Sequence, residues 1–233
     1  MINKKKSGEL IVISGTTCAG KATVINELIK RNNNLSLVIS YTSRALRKGE
    51  VNGVDYIFIS RDEFEEKIKK GDFLEYEKVR YGEYFGTPKK ELQELLNSGK
   101  DVILEVNVEG AKSIKKMFPE VLLIFIMAPS MEEVKRRIKA RGAESPDQII
   151  ERFKTAYNEI NEIPNYNYVV INDKVDNAVD KIEAILKASK CRVDRIEDIS
   201  VENEEEILHE FLMEENFENK PMSEKILEDN KWN

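Results

Sequence analysis

Apolar positions along the chain follow two alternating rhythms. Runs such as Leu10-Ile11-Val12-Ile13, Val102-Ile103-Leu104 and Val121-Leu122-Leu123-Ile124-Phe125-Ile126 are continuously apolar. Strands covered on both faces require such runs, whereas a strand with one wet face alternates. Strands are predicted over residues 9–14, 35–40, 55–59, 73–79, 101–106, 121–127 and 168–172. Between them the apolar spacing is helical, with starts predicted near Lys21, Asp62, Pro88, Glu109, Met131, Asp147 and Val175. Strands alternating with helices predict an α/β fold with a parallel sheet. From Ser40 to Gly86 the rhythm changes to short alternating strands around one helix, which reads as an inserted subdomain.

Composition narrows the function classes. The 233 residues are 41% hydrophobic and 34% charged, enough to bury a core and remain soluble, with a net charge of −6. A general nucleic-acid surface needs a basic excess to displace counterions, and none exists. No stretch approaches the ~20 apolar residues of a membrane span. The basic opening Met-Ile-Asn-Lys-Lys-Lys precedes an apolar run too short for a signal peptide, so the cytoplasm is the expected home. Cys18 and Cys191 form no disulfide framework, and the single histidine, His209, excludes zinc clusters and Ser-His-Asp triads. From Ala188 onward there are 14 acidic and 6 basic residues, so the acidity sits in a C-terminal extension and the preceding core is nearly neutral. Residues 201–211 there read as an amphipathic helix, and the last fifteen residues as poorly ordered.

The strongest chemical signal follows the first long strand: Gly15-Thr16-Thr17-Cys18-Ala19-Gly20-Lys21-Ala22-Thr23, leading into the helical Val24-Ile25-Asn26-Glu27-Leu28-Ile29. This is GxxxxGK between a strand and a helix. Its glycines let backbone N–H groups curl around a phosphate at the helix N-terminus, and Lys21 reaches the β- and γ-phosphates. The residue after Lys21 is normally Ser or Thr, whose hydroxyl meets Mg²⁺; here it is Ala22, with Thr23 next. Cys18 reads as a small packed residue rather than a nucleophile.

A second cluster runs Ser40-Tyr41-Thr42-Ser43-Arg44-Ala45-Leu46-Arg47-Lys48-Gly49-Glu50-Val51-Asn52-Gly53-Val54-Asp55-Tyr56. Arg44 and Arg47 among hydroxyls suit a second phosphate, with Glu50 and Tyr56 nearby to complete the receptor. On the residues alone a solvated charged loop is an equal reading.

With these motifs the sequence resembles guanylate kinases. The likeness continues in order through F-L-E-Y, Y-F-G-T-P, I-L-E-V-N-V-E-G-A and R-R-I-K-A-R-G to V-I-N-D, covering roughly residues 8–187. It implies a P-loop nucleoside monophosphate kinase fold: a parallel-sheet core, a GMP-binding subdomain over about 40–90 and a lid over about 137–155. Residues 1–187 would form the kinase domain and 188–233 an acidic extension. By position, Gly15, Thr16, Thr17, Cys18, Ala19, Gly20, Lys21, Ala22, Thr23 and Asn172 would bind ATP. Arg44, Arg47 and Tyr56 would hold the GMP phosphate, with Glu50 supporting the arginines. Ser40, Glu75, Thr87 and Asn107 would face the guanine. Lys21, Arg137, Arg141 and Arg152 would act in catalysis, the arginines closing over the phosphates. Thr23 and Glu105 are the candidate Mg²⁺ donors, directly or through water.

The chemistry of the base agrees with this assignment. One carboxylate accepts guanine N1–H and N2–H together, and adenine would leave Glu75 unpaired. Three positions depart from the family pattern: Ala22, Phe85 where a second tyrosine is usual, and Asn107 where an aspartate is usual. The resemblance therefore implies ATP-dependent phosphorylation of GMP and dGMP with Mg²⁺, and neither nucleic acid nor membrane as a partner; monomer and homo-oligomer both remain open. The rival readings are a kinase for another phosphorylated ligand and a catalytically weak or silent binding module.

Overall fold

The computed structural model describes residues 2–4, 8–47, 49–79, 82–140, 146–193 and 196–199. Strands and helices are numbered in chain order. Within the larger of two compact units, Lys6–Cys191, five strands form a parallel sheet: β2 (Leu10–Gly15), β3 (Leu35–Leu37), β8 (Asp101–Glu105), β9 (Leu122–Met127) and β10 (Tyr168–Ile171). Their spatial order is β10-β9-β2-β8-β3, so the strand carrying the glycine motif lies at the centre.

The unbroken apolar runs are explained by helices on both faces. Ile11, Ile13, Ile103, Ile124 and Ile126 point to one side, where α1 (Lys21–Arg31) and α7 (Val175–Ser189) bring Val24, Leu28, Val179 and Ile182. Val12, Val102, Leu104 and Leu123 point to the other, against Leu92 of α3 (Lys89–Asn97) and Ile114 of α4 (Val108–Met117). A charge at any of these positions would be buried without a partner.

The inserted segment builds a four-stranded sheet of order β5-β4-β7-β6, from β4 (Tyr41–Thr42), β5 (Ile57–Phe58), β6 (Phe73–Lys78) and β7 (Tyr84–Pro88). Its core is aromatic. Phe64 of α2 (Arg61–Lys70) stacks on Phe73 at 4.4 Å and on Tyr84 at 5.1 Å between ring centroids. A reciprocal cap starts α2: Glu63 N–H donates to Ser60 Oγ (3.2 Å), and Ser60 N–H to the Glu63 carboxylate (2.8 Å). Strands β4 and β7 were absent from the sequence expectation.

Helices α5 (Met131–Ala140) and α6 (Pro146–Ile160) pack through Val134, Ile138 and Ala156. Residues 141–145, within the expected lid, and the helix expected at 201–211 lie outside the described residues. No helix among the described residues is long and apolar enough to cross a membrane. The second unit joins Met1–Lys5 to Arg192–Asn233; in it β1 (Ile2–Lys4) pairs antiparallel with β11 (Ile196–Ile199).

A buried polar knot ties the end of α7 to the sheet edge opposite the glycine motif. Asp101 accepts from Glu9 N–H (3.0 Å) and Asn34 Nδ2 (3.2 Å), and pairs with Lys190 at 2.6 Å. Ser189 Oγ donates to Glu9 Oε2 at 2.7 Å. Asp101→Ala should strand these donors and lower stability by about 2–3 kcal/mol, read as a lower urea midpoint at unchanged slope.

Candidate active site

Where β2 ends, the chain turns through the glycine motif into α1. Gly15 leaves the sheet at φ 147°, and a Cβ there would sit 1.9 Å from Ile126 O. Gly20 has φ 85°, and a Cβ there would lie 2.7 Å from Asn172 Nδ2. Both positions therefore demand glycine. Gly20 is the N-cap of α1 and supplies no side-chain acceptor, so the helix's first N–H groups are left to an anion. Lys21 lies along the loop, its Nζ donating to Gly15 O (3.1 Å) and Thr16 O (3.4 Å). Cys18 takes a left-handed conformation at φ 61° and packs against the cluster around Ala128 and Val134, consistent with a small packed residue.

Two neighbours brace the loop. Ala19 O accepts from Asn172 Nδ2 (2.7 Å) and from Arg137 Nη1 (3.1 Å). Arg137 also donates to Asn172 O (3.0 Å) and Glu133 (2.7 Å), and Glu133 is held down to a pKa of about 2 by its bonds to Arg136 and Arg137. Arg137 thus flanks a hollow of ≈ 300 Å³ behind the loop, with Gly20, Thr23, Asn172 and Asp173. Arg152 lies elsewhere, on the phosphate side of the loop, so the structure does not gather these arginines into one cluster. Arg141 lies outside the described residues.

The brace from the lid helix was not foreseen. Thr17 N–H donates to Glu159 Oε2 at 2.7 Å across 142 residues of sequence. Burial pushes the Glu159 carboxyl above its ordinary range, partly opposed by the Thr17 bond and Lys21. Arg152 and Glu159 stand seven apart on α6, on one face two turns along. That spacing was readable; what the face touches was not.

Across a cavity of ≈ 480 Å³ lies the second receptor. Arg44 is only 6% exposed. Its Nη1 and Nη2 donate to the two Glu50 oxygens at 2.7 and 2.6 Å, a fork-to-fork pair that holds the Glu50 carboxyl below its usual range. Glu50 also accepts from Arg47 N–H at 2.8 Å. The Arg44 guanidinium sits 5.1, 5.3 and 5.9 Å from the ring centres of Tyr56, Phe58 and Phe85. Burial, reinforced by Glu105, raises the Tyr56 phenol to about 12, so it stays a neutral donor. The solvated-loop reading fails at Arg44, which is enclosed, and holds for residues 45–47 and 51–55, which are exposed.

Glu75 and Ser40 line the same cavity, and Thr87, itself buried, stands opposite Glu75 on β7. Thr87 Oγ1 donates to Glu75 Oε1 at 2.6 Å, while burial pushes the Glu75 carboxyl up and Glu77 adds to the effect. Phe85 faces the cavity, whereas Tyr84 turns into the subdomain core with its hydroxyl on Glu65 at 3.2 Å. Ala22, Thr23, Glu105 and Asn107 line the cavity too. Asn107 caps α4, its Oδ1 accepting from Gly110 N–H at 2.8 Å. Sequence reasoning missed Glu77, which lines this cavity and accepts from Asn107 Nδ2.

The glycine loop, the Arg44–Glu50 fork and Glu75 thus line one cavity. The guanylate kinase family model matches residues 7–189. A guanylate kinase of Clostridium tetani is 53% identical over 207 residues, 89% of this chain and 99% of that protein. One from Caldanaerobacter subterraneus is 52% identical over 202 residues, 87% and 98% of the two chains. The crystal structure of guanylate kinase from Anaplasma phagocytophilum superposes with a TM-score of 0.70 at 31% identity, covering 93% of this chain and 99% of that one. The chain belongs to the guanylate kinase family, nucleoside monophosphate kinases on a P-loop fold.

Proposed function

We propose that this chain transfers the γ-phosphoryl group of ATP to GMP, and to dGMP, giving ADP and GDP or dGDP. The observation that carries the reading is Glu75, braced by Thr87, standing in one cavity with Lys21 and the Arg44–Glu50 fork. A base-specific acceptor, a monophosphate receptor and a polyphosphate loop are the three parts this reaction needs.

In the reaction a GMP phosphate oxygen forms a bond to the γ-phosphorus while the bond to the β–γ bridging oxygen breaks. The attacking oxygen is already anionic, because a phosphate monoester has a second pKa of ~6. No general base is required. Arg44, Arg47 and Tyr56 orient the acceptor phosphate; the loop N–H groups and Lys21 hold the donor; Arg152, on the shared wall, meets the charge developing in between. Asn172 and Arg137 keep the loop in shape from behind. Mg²⁺ suits the donor set: the Thr23 hydroxyl and the Glu105 carboxylate are oxygen ligands on the cavity wall, and Ala22 offers none. Bound with ATP, the ion would neutralise charge on the β- and γ-phosphates. Closure of the lid would exclude water, whose attack would waste ATP.

Four nucleoside monophosphates offered with ATP and Mg²⁺, read by ADP release, test the reading. GMP and dGMP should be used far better than AMP or CMP. GMP binding without ADP release would favour a silent binding module instead.

Glu75→Gln should narrow the preference for GMP over AMP by about tenfold, because one carboxylate reading two donors carries ~1–3 kcal/mol of discrimination. Unchanged selectivity in the same panel would remove Glu75 as the reader.

Phe85→Tyr should lower the Michaelis constant for GMP and leave that for ATP nearly unchanged. Tyr84 is committed to the subdomain core, so the Arg44 receptor lacks a tyrosine hydroxyl on this strand. A hydrogen bond to a charged group contributes ~1.5–3 kcal/mol, about tenfold or more in affinity. Steady-state kinetics with GMP varied at saturating ATP decides; a raised constant would mean that the pocket fits only the phenyl ring.

We also infer that nucleotide chemistry belongs to residues before the acidic extension. A chain ending at Cys191 keeps Ser189 and Lys190 in their knot and should retain kcat and both Michaelis constants. Loss of either would assign the extension a part in the site.

A further inference from the structure

Asn107 lines the guanine side of the cavity, yet its carboxamide is already committed at both ends. Its Oδ1 accepts from Gly110 N–H at 2.8 Å as the cap of α4, and its Nδ2 donates to Glu77 Oε2. An amide oxygen occupied by a helix N-terminus is poorly placed to accept from a base. Glu77 accepts from the Asn107 amide, and a carboxylate has room for about four donors.

Strand geometry puts Glu77 where such an acceptor is useful. Glu75 and Glu77 are two apart on β6 and so face the same side of the sheet. Their partners across β7 are Thr87 and Phe85, and all four residues stand in consecutive register. Glu75 Oε2 and Asn107 Oδ1 each lie 3.2 Å from the point a Gly110 Cβ would occupy, so these two side chains meet at the start of α4, and Glu77 joins them through Asn107 Nδ2. The charge of Glu77 is felt at Glu75, where it adds to the upward push of burial. A cationic group or a multiple N–H donor placed there would relieve both carboxylates.

Guanine supplies such a donor. Its N1–H and one N2–H can go to Glu75, which leaves a second N2–H without an acceptor. We propose that Glu77 is a specificity residue for the 2-amino group, accepting this second N2–H, and that Asn107 acts through it as a positioning residue. The proposal rests on the GMP kinase reading and deepens it. It gives β6 a second guanine-reading carboxylate beside Glu75, in place of a direct contact from Asn107.

The test compares GMP with IMP, which lacks only the 2-amino group, using the full chain with ATP and Mg²⁺. Glu77→Ala should cut kcat/KM for GMP by about tenfold or more, while IMP is used as before or slightly better. The GMP:IMP ratio therefore collapses, and the Michaelis constant for ATP holds. Glu77→Gln keeps the side-chain volume and should show a smaller fall in the ratio. Asn107→Ala should give a partial fall, and the double variant should be no worse than Glu77→Ala alone, the signature of two residues acting through one contact. An unchanged GMP:IMP ratio in both Glu77 variants overturns the inference, as does an equal loss for both nucleotides. A wild-type chain that does not use GMP overturns the functional reading, and this proposal with it.

Discussion

The fold is organised around a helix end that has no cap. At Gly20 the chain enters α1 with no side chain to accept the first N–H groups, and such groups are costly to leave without a partner. A parallel sheet places this end at the carboxyl edge of a central strand, between helices on both faces, where the helix dipole points at whatever fills the hollow. Two conformational demands keep the turn tight enough: Gly15 must pass within contact of Ile126, and Gly20 must pass Asn172. Cys18 shows the cost of a non-glycine residue in the same turn, a left-handed backbone worth roughly 1–3 kcal/mol, offset by packing on the lid cluster.

The second receptor solves the same electrostatic problem in the opposite way. Instead of backbone dipoles, it uses a full charge, Arg44, taken almost entirely out of water. A buried cation is tolerable only with a partner in good geometry. Glu50 provides it through two bonds, and three aromatic rings surround the remainder. A backbone receptor is fixed in place by the sheet, whereas a side-chain receptor can be carried on a small separate sheet. That division suits a reaction in which the donor is held by the rigid core and the acceptor is brought to it.

How much of this was legible depended on whether the signal is local. The strands buried on both faces and all seven helix starts follow from apolar period, so the core was readable from β2, β8 and β9 alone. Strand β7 was not, because Tyr84-Phe85-Gly86-Thr87-Pro88 holds a glycine and a proline and alternates only weakly; its identity comes from pairing with β4 and β6. Two-residue β4 and three-residue β1 are too short to carry a period, and β11 falls in an acidic stretch. Among site residues, the loop and the Arg44 cluster were legible because their chemistry is contiguous. Glu159 and Glu77 were not, since each acts on a residue far away in sequence, and on its own strand or helix each looks like an ordinary polar position. For Arg137 the resemblance implies a place over the phosphates with Arg141 and Arg152; its donors are turned toward Ala19 and Asn172, contacts that no local pattern announces.

A common thread links these through-space contacts. Several donors of the loop and of the Arg44 fork are held by internal partners. Thr17 N–H rests on Glu159, Lys21 on the carbonyls of Gly15 and Thr16, and Arg44 on Glu50. In the proposed reaction, nucleotide binding would exchange these partners, and its net free energy would be the difference between two sets of bonds. The internal bonds hold the loop in one shape, which lowers the ordering cost of binding. The Glu159 carboxylate comes from the same helix as Arg152, so the helix that braces the loop at Thr17 also sets where Arg152 stands on the cavity wall.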